Sequence, residues 1–296
     1  DLPLTLPQVE KYEPAGTGES PLANIDDWVN IPAGKRETNT MPQWAGSCWY
    51  YLRFVDPLNE AQSWSKEAES YWMPVDLYVG GVEHAVLHLL YSRFWHHVLH
   101  DLGLVSTREP FQKLFNQGMI QGEDGQKMSK SRGNVVNPDD VVQEYGADSF
   151  RLYEMFMGPL DKSKPWSTSG LQGCYRFIQK VWKLFTVDPS RIEENCANEE
   201  TIKLLHQTIK KVTEDLSDLR FNTSVSQLMI FVNHLTKLEK LDKSVLHQFL
   251  LILNPFAPHL SEELNEMLGF EPLSNTAWPE YDSNLIIEEK ITIAVQ

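Results

Sequence analysis

The sequence predicts an α/β region followed by an all-helical region. Between residues 75 and 120, the spacing of apolar residues changes from strand to helix and back to strand, an order typical of part of a parallel α/β sheet. Beyond about residue 170, apolar residues recur only at helical spacing. A chain of 296 residues is long enough for about two domains.

The α/β region contains two predicted strands with a helix between them. Val75–Gly81 is expected to be a short buried strand that ends in glycines, and residues 111–120 contain a second apolar run that ends at Gln117-Gly118. Asn137 should then cap a further helix that has Pro138 in its first turn. The helix between the strands is expected to bury one apolar face, formed by Val86, Leu89, Leu90 and Phe94.

The all-helical region is predicted to be a bundle of amphipathic helices. A coiled coil is the alternative for this spacing, but Phe221-Asn222, Pro255 and Pro258 interrupt it early. Two further helices, at residues 246–253 and 260–268, should end before the prolines and at Gly269. The first two stripes are Ile202, Leu205, Ile209, Val212, Leu216 and Leu219, and then Val225, Leu228, Val232 and Leu235.

Composition limits the class of protein. The net charge of −15, from 26 basic and 41 acidic residues, argues against general affinity for nucleic acid but allows a local RNA-facing patch. Three cysteines without a CxxC pair indicate reduced thiols in an intracellular compartment. Without a membrane-length apolar run or a signal sequence, the protein is expected to be soluble.

A short basic loop carries the clearest chemical signal. Residues 127–131 form the string Lys-Met-Ser-Lys-Ser between Gly125 and Gly133. Lys127 and Lys130 can place two ammonium groups on one polyphosphate, and the N–H groups of a turn can add to such an anion site. For these five residues alone, a solvated basic loop is the alternative.

The KMSKS string lies in a stretch, from Leu114 to Asp140, that resembles leucyl-tRNA synthetases of the bacterial and organellar type, which are class I aminoacyl-tRNA synthetases. The resemblance implies the second half of a Rossmann-like nucleotide-binding catalytic domain, followed by a helical-bundle tRNA-binding domain. It divides the chain into an extended connector (1–40), the catalytic part (41–150), a stem (151–175), an anticodon-binding-type domain (176–285) and the start of a truncated β-containing domain (286–296).

Two features of the family are missing from the sequence. The HIGH-type tetrapeptide of the first catalytic half is absent, and so is the inserted editing domain. Residues 290–296 alternate like a strand and then stop, although a lone strand cannot satisfy its own backbone. We therefore expect a fragment that is inactive by itself.

The resemblance implies an ATP site. Lys127, Ser129 and Lys130 would be catalytic and would stabilise the departing pyrophosphate together with Mg²⁺. Gly80 and Gly81 would allow adenosine to approach the backbone, although ordinary turn glycines are the alternative. The expected ATP-binding residues are Gly80, Gly81, Glu83, His84, Asn116, Gln117, Gly118, Met119, Lys127, Met128 and Lys130.

A leucine pocket is also implied, lined by Trp44, Ser47, Tyr50, His84 and His88. Core packing is the alternative for each aromatic residue. The two histidines are four residues apart and are expected to share one side of a helix, which is metal-ligand geometry without a third ligand. We expect no metal there, and a surface position for the second histidine cluster, His96, His97 and His100.

Arg176, Lys180 and Lys183 fall on one face of a predicted helix, with Cys174, Ile178, Val181 and Phe185 on the other. The resemblance places this helix at the start of the tRNA-binding domain, so the three cations are expected tRNA contacts. A solvated basic face is the alternative.

The function that the resemblance implies is leucine activation with ATP and transfer to tRNA(Leu), in a cytoplasmic, monomeric parent protein. The chain would then have leucine, ATP and tRNA(Leu) as partners and no membrane. Two alternatives come from other classes of protein. One is a non-catalytic helical RNA-binding or assembly module, and the other is a helical metal-binding protein that uses the histidine pairs.

Overall fold

The structure is a computed structural model that describes residues 4–14, 16–38 and 44–287. It confirms the predicted fold class, because α/β elements are followed by a bundle of helices. Two compact units divide the chain, Asp1–Asn116 and Gln117–Gln296. The division falls within residues 41–150, and the domain boundaries implied by the resemblance stay predictions.

The first unit consists mainly of short elements. In chain order they are α1 (Asp26–Val29), β1 (Asn30–Ile31), β2 (Gly34–Lys35), α2 (Tyr50–Arg53), α3 (Lys66–Trp72), β3 (Val75–Gly81), α4 (His88–Asp101) and β4 (Phe111–Gln117), whose last residue belongs to the second unit. Strands β1 and β2 form an antiparallel hairpin. Strands β3 and β4 pair and begin side by side, where the Val75 N–H donates to the Pro110 carbonyl at 2.9 Å. The strand–helix–strand order is therefore confirmed.

Strand β3 and helix α4 are buried differently from the prediction. Leu77 and Val79 of β3 are exposed, because the strand belongs to a sheet of only two described strands. On α4, Leu90 and Phe94 are exposed, and so is Val86, which precedes the helix. Leu89 is only partly buried. The face of α4 that is buried is mostly polar and consists of His88, Ser92, His96 and Leu99.

Hydrogen bonds explain how α4 tolerates a polar buried face, because a buried polar group costs little once it is paired. One ring nitrogen of His96 lies 2.9 Å from the Tyr51 hydroxyl, and the other lies 2.9 Å from the Thr107 carbonyl oxygen. His96 is fully buried. The prediction that it lies at the surface with His97 and His100 is therefore wrong.

The second unit contains most of the regular structure. Its elements are β5 (Ile120–Gln121), α5 (Pro138–Tyr145), α6 (Ala147–Phe156), β6 (Lys164–Pro165), α7 (Thr168–Thr186), β7 (Ile192–Glu193), α8 (Glu199–Ser217), α9 (Phe221–Leu235), β8 (Leu241–Asp242), α10 (Lys243–Leu253) and α11 (Pro258–Met267). Strand β5 pairs with β6 and β7 pairs with β8, both in parallel. One hydrophobic core joins the helices of this unit. The helix-bundle prediction is therefore confirmed.

The predicted helix boundaries hold with small shifts. Asn137 caps α5, since its side chain accepts from the Asp139 N–H at 3.2 Å. The break between α8 and α9 lies at Leu219, whose φ of 58° is left-handed, rather than at Phe221, which begins α9. Pro258 does not end a helix but opens α11. The predicted stripe of α8 is buried at its centre, at Leu205, Ile209 and Val212, and that of α9 is buried throughout, at Val225, Leu228, Val232 and Leu235.

Asp215 fixes the turn between α8 and α9. Its carboxylate is fully buried and accepts hydrogen bonds from Lys211 Nζ at 2.8 Å, Arg220 Nε at 3.1 Å and the Thr223 hydroxyl. A buried carboxylate needs such partners, because an unpaired charge is costly away from water.

Within the described ranges, no helix combines the length and apolar character needed to cross a bilayer. The predicted strand at residues 290–296 lies outside the described residues, as does the truncation inferred from it.

Candidate functional site

Residues 122–134, which we call the lysine loop, begin directly after β5. Gln121 forms an antiparallel bridge with Lys127, and the Gly122 N–H donates to the Gln126 carbonyl at 2.9 Å. Gly125 closes the turn with a φ of +70°, a left-handed conformation that favours glycine. The loop is therefore a small, hydrogen-bonded hairpin rather than a loop without internal hydrogen bonds.

The side chains of the loop divide into anchored and free groups. Met128 packs against the core of the second unit. Lys127 and Lys130 are exposed, and neither ammonium group has a hydrogen-bond or ion-pair partner among the described residues. The loop thus presents two unpaired positive charges three residues apart, which is the chemistry expected of a polyphosphate contact.

Asn134 and Asp124 brace the lysine loop, and neither was a predicted site residue. Asn134 Oδ1 accepts from the Ser129 N–H at 2.9 Å, and Asn134 Nδ2 donates to the Asp124 carboxylate at 3.1 and 3.2 Å. Asn134 Nδ2 also lies 3.4 Å from the Lys127 carbonyl. The Ser129 N–H is therefore engaged, and its hydroxyl, 3.2 Å from Ser131 Oγ, is the group that Ser129 can offer a ligand.

Much of the main chain at residues 118–119 is hydrogen-bonded to residues 160–164 of the same unit. The Gly118 N–H donates to the Leu160 carbonyl at 2.8 Å, and the Met119 carbonyl accepts from the Lys164 N–H at 3.0 Å. The Met119 N–H donates to Ser163 Oγ at 3.2 Å. Gly118 and Met119 are among the expected ATP-binding residues, yet these main-chain groups bond within the second unit.

Side-chain oxygens next to this segment remain available. Among the described residues, seven buried side-chain nitrogen or oxygen atoms lack a hydrogen-bond partner, and two of them are Asn116 Oδ1 and Gln117 Oε1. Buried polar atoms are usually paired, so an unpaired one indicates a place for a ligand or water. For adenine, these amide oxygens are better candidates than the backbone of Gly118 and Met119.

An aromatic cluster in the first unit contains most of the predicted leucine-binding residues. Tyr50 stacks on His88 with ring centroids 5.5 Å apart, and Trp44 meets His84 edge-on at 5.6 Å. Tyr78 stacks on His88 at 6.0 Å. Sequence reasoning missed Tyr78, although it lies two residues before Gly80. We define the aromatic cluster as Trp44, Tyr50, Tyr78, His84 and His88.

The two histidines of the cluster do not share a helix as predicted. His84 lies in a 3₁₀ turn, Val82–Ala85, whereas His88 is the first residue of α4, and their ring centroids are 6.4 Å apart at nearly right angles. Burial lowers the pKa of His88, and the nearby His84 lowers it further. His88 Nε2 lies 3.2 Å from Ser92 Oγ. The described residues contain no group of three His, Cys, Asp or Glu side chains arranged for a metal.

Other predicted residues lie around the aromatic cluster. Trp44 Nε1 and His84 Nδ1 are two more of the buried atoms without a partner. Ser47 is exposed, and its hydroxyl donates to the Trp44 carbonyl at 3.4 Å. A Cβ at Gly81 would lie 2.5 Å from Glu83 Oε2, and one at Gly80 would lie 2.9 Å from the Tyr78 ring. Both glycines therefore make room for neighbouring side chains of the predicted site.

The basic face of α7, defined as Arg176, Lys180 and Lys183, has the geometry that the sequence predicts. The three cations line one shallow depression together with Arg191. Lys180 Nζ donates to Asn233 Oδ1 at 2.6 Å. On the opposite side, Cys174, Val181 and Phe185 are buried and Ile178 packs against the core. This face can hold a phosphate-bearing ligand.

Comparisons with known proteins show which family domains the chain contains. Residues 34–164 match the family of tRNA synthetases class I (I, L, M and V), and residues 198–296 match the anticodon-binding domain of tRNA ligase. The chain therefore contains part of the catalytic domain of a class I tRNA synthetase, followed by a helical anticodon-binding domain.

Two solved structures show the same fold. The agnB2 LeuRS of Agrobacterium radiobacter K84, in a ternary complex with tRNA and LeuAMS, is 34% identical with a TM-score of 0.81, and the match covers 91% of this chain and 38% of that one. The methionyl-tRNA synthetase of Mycobacterium tuberculosis, in complex with methionyl-adenylate, is 15% identical with a TM-score of 0.59, covering 77% of this chain and 50% of that one. The chain thus spans half or less of each structure.

Proposed function

We propose that this chain supplies the lysine loop and the tRNA-binding helices of a leucyl-tRNA synthetase. The parent protein would activate leucine with ATP to leucyl-adenylate and would transfer leucine to tRNA(Leu). The observation that carries the proposal is the pair of unpartnered ammonium groups, Lys127 and Lys130, on a braced loop. Leucine, among the amino acids of this family, is supported by the 34% identity to a LeuRS.

Lys127 and Lys130 would stabilise the leaving group of the activation step. When the leucine carboxylate attacks the α-phosphate of ATP, a bond forms to the α-phosphorus, the bond to the β-phosphate oxygen breaks, and charge grows on the departing pyrophosphate. Two ammonium groups that are already in place stabilise this charge without reorganisation. Mg²⁺ would enter with ATP as part of the substrate, and the Ser129 hydroxyl would add one donor.

Adenosine would be held by the predicted residues whose polar atoms are available. Asn116 Oδ1 and Gln117 Oε1 are buried acceptors without partners and suit the exocyclic amine of adenine. Glu83, next to the glycines at the end of β3, would accept from the ribose hydroxyls. Met119 would contribute packing, because its main-chain N–H and carbonyl are engaged.

Leucine would lie against the aromatic cluster. Its aliphatic side chain suits the faces of Trp44 and Tyr50, and the lowered pKa of His88 keeps that ring neutral beside an apolar group. Such a pocket separates leucine from an amino acid one methylene smaller by only about 1–3 kcal/mol. The family's editing insertion addresses this limit, and the chain does not contain it.

The acceptor RNA would contact the basic face of α7. This face gives a local positive surface on a chain whose net charge is −15. A non-catalytic RNA-binding module is the alternative function, and it would need the basic face without the lysine loop. Cytoplasmic localisation and a monomeric parent stay predictions.

Leucine-dependent exchange between pyrophosphate and ATP tests the proposal in the full-length protein that contains this chain. Lys130→Ala should lower kcat by about 10²–10³-fold with little change in the KM for leucine, because the lost contact strengthens as pyrophosphate leaves. Lys210→Ala, which removes another lysine of the same unit, should leave exchange unchanged. This chain by itself should show no exchange.

The assay also separates the alternatives. Exchange that depends on isoleucine, methionine or valine instead of leucine would keep the enzyme class and reject the substrate. No exchange with any of the four, from a folded protein that binds tRNA, would favour the RNA-binding module.

A further inference from the structure

We propose that Asn134, held in place by Asp124, is the positioning residue of the lysine loop. Together, Asn134 and Asp124 would present Lys127 and Lys130 to a polyphosphate, so the inference rests on the proposed function. Neither residue was expected to touch ATP, leucine or tRNA. They act through the backbone between the two lysines.

The bonds of Asn134 carry the argument. Its amide oxygen accepts from the Ser129 N–H at 2.9 Å, and its amide nitrogen lies 3.4 Å from the Lys127 carbonyl. One planar side chain therefore contacts the backbone on both sides of Met128. Because each peptide unit is planar, the orientations of neighbouring units in a short turn are linked. Holding the Lys127 carbonyl and the Ser129 N–H therefore fixes the direction in which both lysine side chains leave the loop.

Asp124 determines which way the Asn134 amide points. The Asn134 Nδ2 group lies 3.1 and 3.2 Å from the two oxygens of the Asp124 carboxylate, and Asp124 Oδ1 also accepts from the Gln126 N–H at 3.0 Å. A carboxylate only accepts, so it requires the nitrogen of the amide on its side. The Gln126 and Asn134 hydrogen bonds lower the pKa of Asp124, so it stays ionised at neutral pH.

Gly122 leaves the space that this pair occupies. A Cβ at position 122 would lie 2.7 Å from Asp124 Oδ1, 2.8 Å from Asn134 Nδ2 and 3.0 Å from Asn134 Cβ. Gly122 does not have a left-handed φ, so its backbone does not itself require glycine. A methyl group there would displace Asp124 and Asn134 without altering either residue. It gives an independent way to break the hydrogen bonds of Asp124 and Asn134 within the loop, which we call the brace.

With this brace, the two lysines are exposed on a loop whose backbone is held by hydrogen bonds. A loop whose charged side chains lack partners loses little by unfolding locally, and fixing a free residue costs backbone entropy. Ordering the loop in advance removes that cost from polyphosphate binding. The position of the lysines is then set before ATP arrives.

Limited trypsin digestion of this chain tests the proposal directly, because the loop contains three cleavage sites, after Lys127, Lys130 and Arg132. Asn134→Ala should raise cleavage at these sites about five- to tenfold, and Asp124→Ala and Gly122→Ala should do the same. Asp124→Asn should be milder, since its amide oxygen can still accept from Asn134. Gln126→Ala, which keeps the backbone bond to Asp124, is the matched control and should be cleaved like the wild type.

The double variant Asp124→Ala/Asn134→Ala should be no worse than either single variant, because the two residues act as one unit. Thermal unfolding, followed in parallel, should show a melting temperature within about 2 °C of wild type for each variant, which excludes general unfolding as the cause of faster cleavage. Wild-type cleavage rates in Asn134→Ala and Gly122→Ala would overturn the brace.

Adding tripolyphosphate separates this inference from the proposed function. It should protect the wild-type loop, and about tenfold more of it should be needed to protect Asn134→Ala. Protection at equal concentrations in both chains would refute the positioning role and keep the polyphosphate site. Faster cleavage of Asn134→Ala without protection of the wild type would keep the brace and reject the lysine loop as a polyphosphate contact.

Discussion

Gly118→Ala should destabilise the second unit, even though the resemblance assigns this glycine to ATP. A Cβ at position 118 would lie 2.1 Å from both the carbonyl carbon and the carbonyl oxygen of Lys162, and 2.5 Å from the Ser163 nitrogen. These are backbone atoms, so no side-chain rotation relieves the overlap. Residues 160–164 would have to move away from residues 118–119.

The size of the effect follows from the bonds that such a movement breaks. Three hydrogen bonds join the two segments, from the Gly118 N–H, the Met119 N–H and the Lys164 N–H. At about 1 kcal/mol net for each bond, the substitution should lower the free energy of unfolding by about 3 kcal/mol. For a unit of this size, that corresponds to about 6–12 °C in melting temperature.

Thermal unfolding followed by circular dichroism measures this effect without ATP. Gly173→Ala is the matched control: it lies within α7, its Cβ would meet only Arg176 Nη2 at 3.8 Å, and alanine is the better helix former. That variant should be stabilised by up to about 1 kcal/mol. If Gly118→Ala melted with the wild type, the close packing of residues 118 and 162 would be wrong, and the glycine would have to be explained by a ligand.

Three further predictions concern charge. Asp215→Ala should lower the free energy of unfolding by about 2–3 kcal/mol in urea titration, because it removes charged hydrogen bonds at the α8–α9 turn, whereas exposed Asp218→Ala should change it by less than about 0.5 kcal/mol. The hydrogen bond from Arg93 lowers the pKa of Glu109 from 4.5 to about 2, so its stabilisation is complete above pH 4.5 and is lost as the pH falls towards 2; the stability gap between wild type and Glu109→Gln at pH 6 should close near pH 2. Replacing the basic face of α7 (Arg176, Lys180 and Lys183) by alanine in the full-length protein should flatten the slope of log K against log salt for tRNA binding by two or three units. As a control, replacing Lys66, Lys113 and Lys210 together should leave the slope unchanged. An unchanged slope for the α7 variant would assign the basic face to solubility.

The helical half of the fold was predictable because its information is local. A stripe such as Leu205, Ile209 and Val212 has one favourable arrangement, with its apolar side against other helices, whatever those helices are. Caps are local as well: Asn137 and Pro138 begin α5 in the structure as the sequence predicts. Small errors occurred at the turns, where Leu219 adopts a left-handed φ that its residue type does not suggest.

The α/β half was predicted less well because burial there depends on partners far away in sequence. His96 is buried through Tyr51 and Thr107, which lie 45 residues before it and 11 after it. An apolar-periodicity argument assigns the opposite face of α4 to the core and cannot detect a polar face that is paired. Tyr78 is in the aromatic cluster for a similar reason, since its stacking on His88 joins β3 to α4.

The structure changes what the lysine loop can offer to a polyphosphate. From the sequence, both the lysine side chains and the N–H groups of the turn were available. In the fold, the Ser129 and Gly125 N–H groups bond to Asn134 and Gly122, and the Gln126 N–H bonds to Asp124. These backbone donors therefore form hydrogen bonds within the loop, and the ammonium groups of Lys127 and Lys130 stay available for a ligand. Such a site binds a polyphosphate through two charges on a loop of fixed shape. Substitutions of Gly122, Asp124 or Asn134 should therefore impair binding without removing either charge.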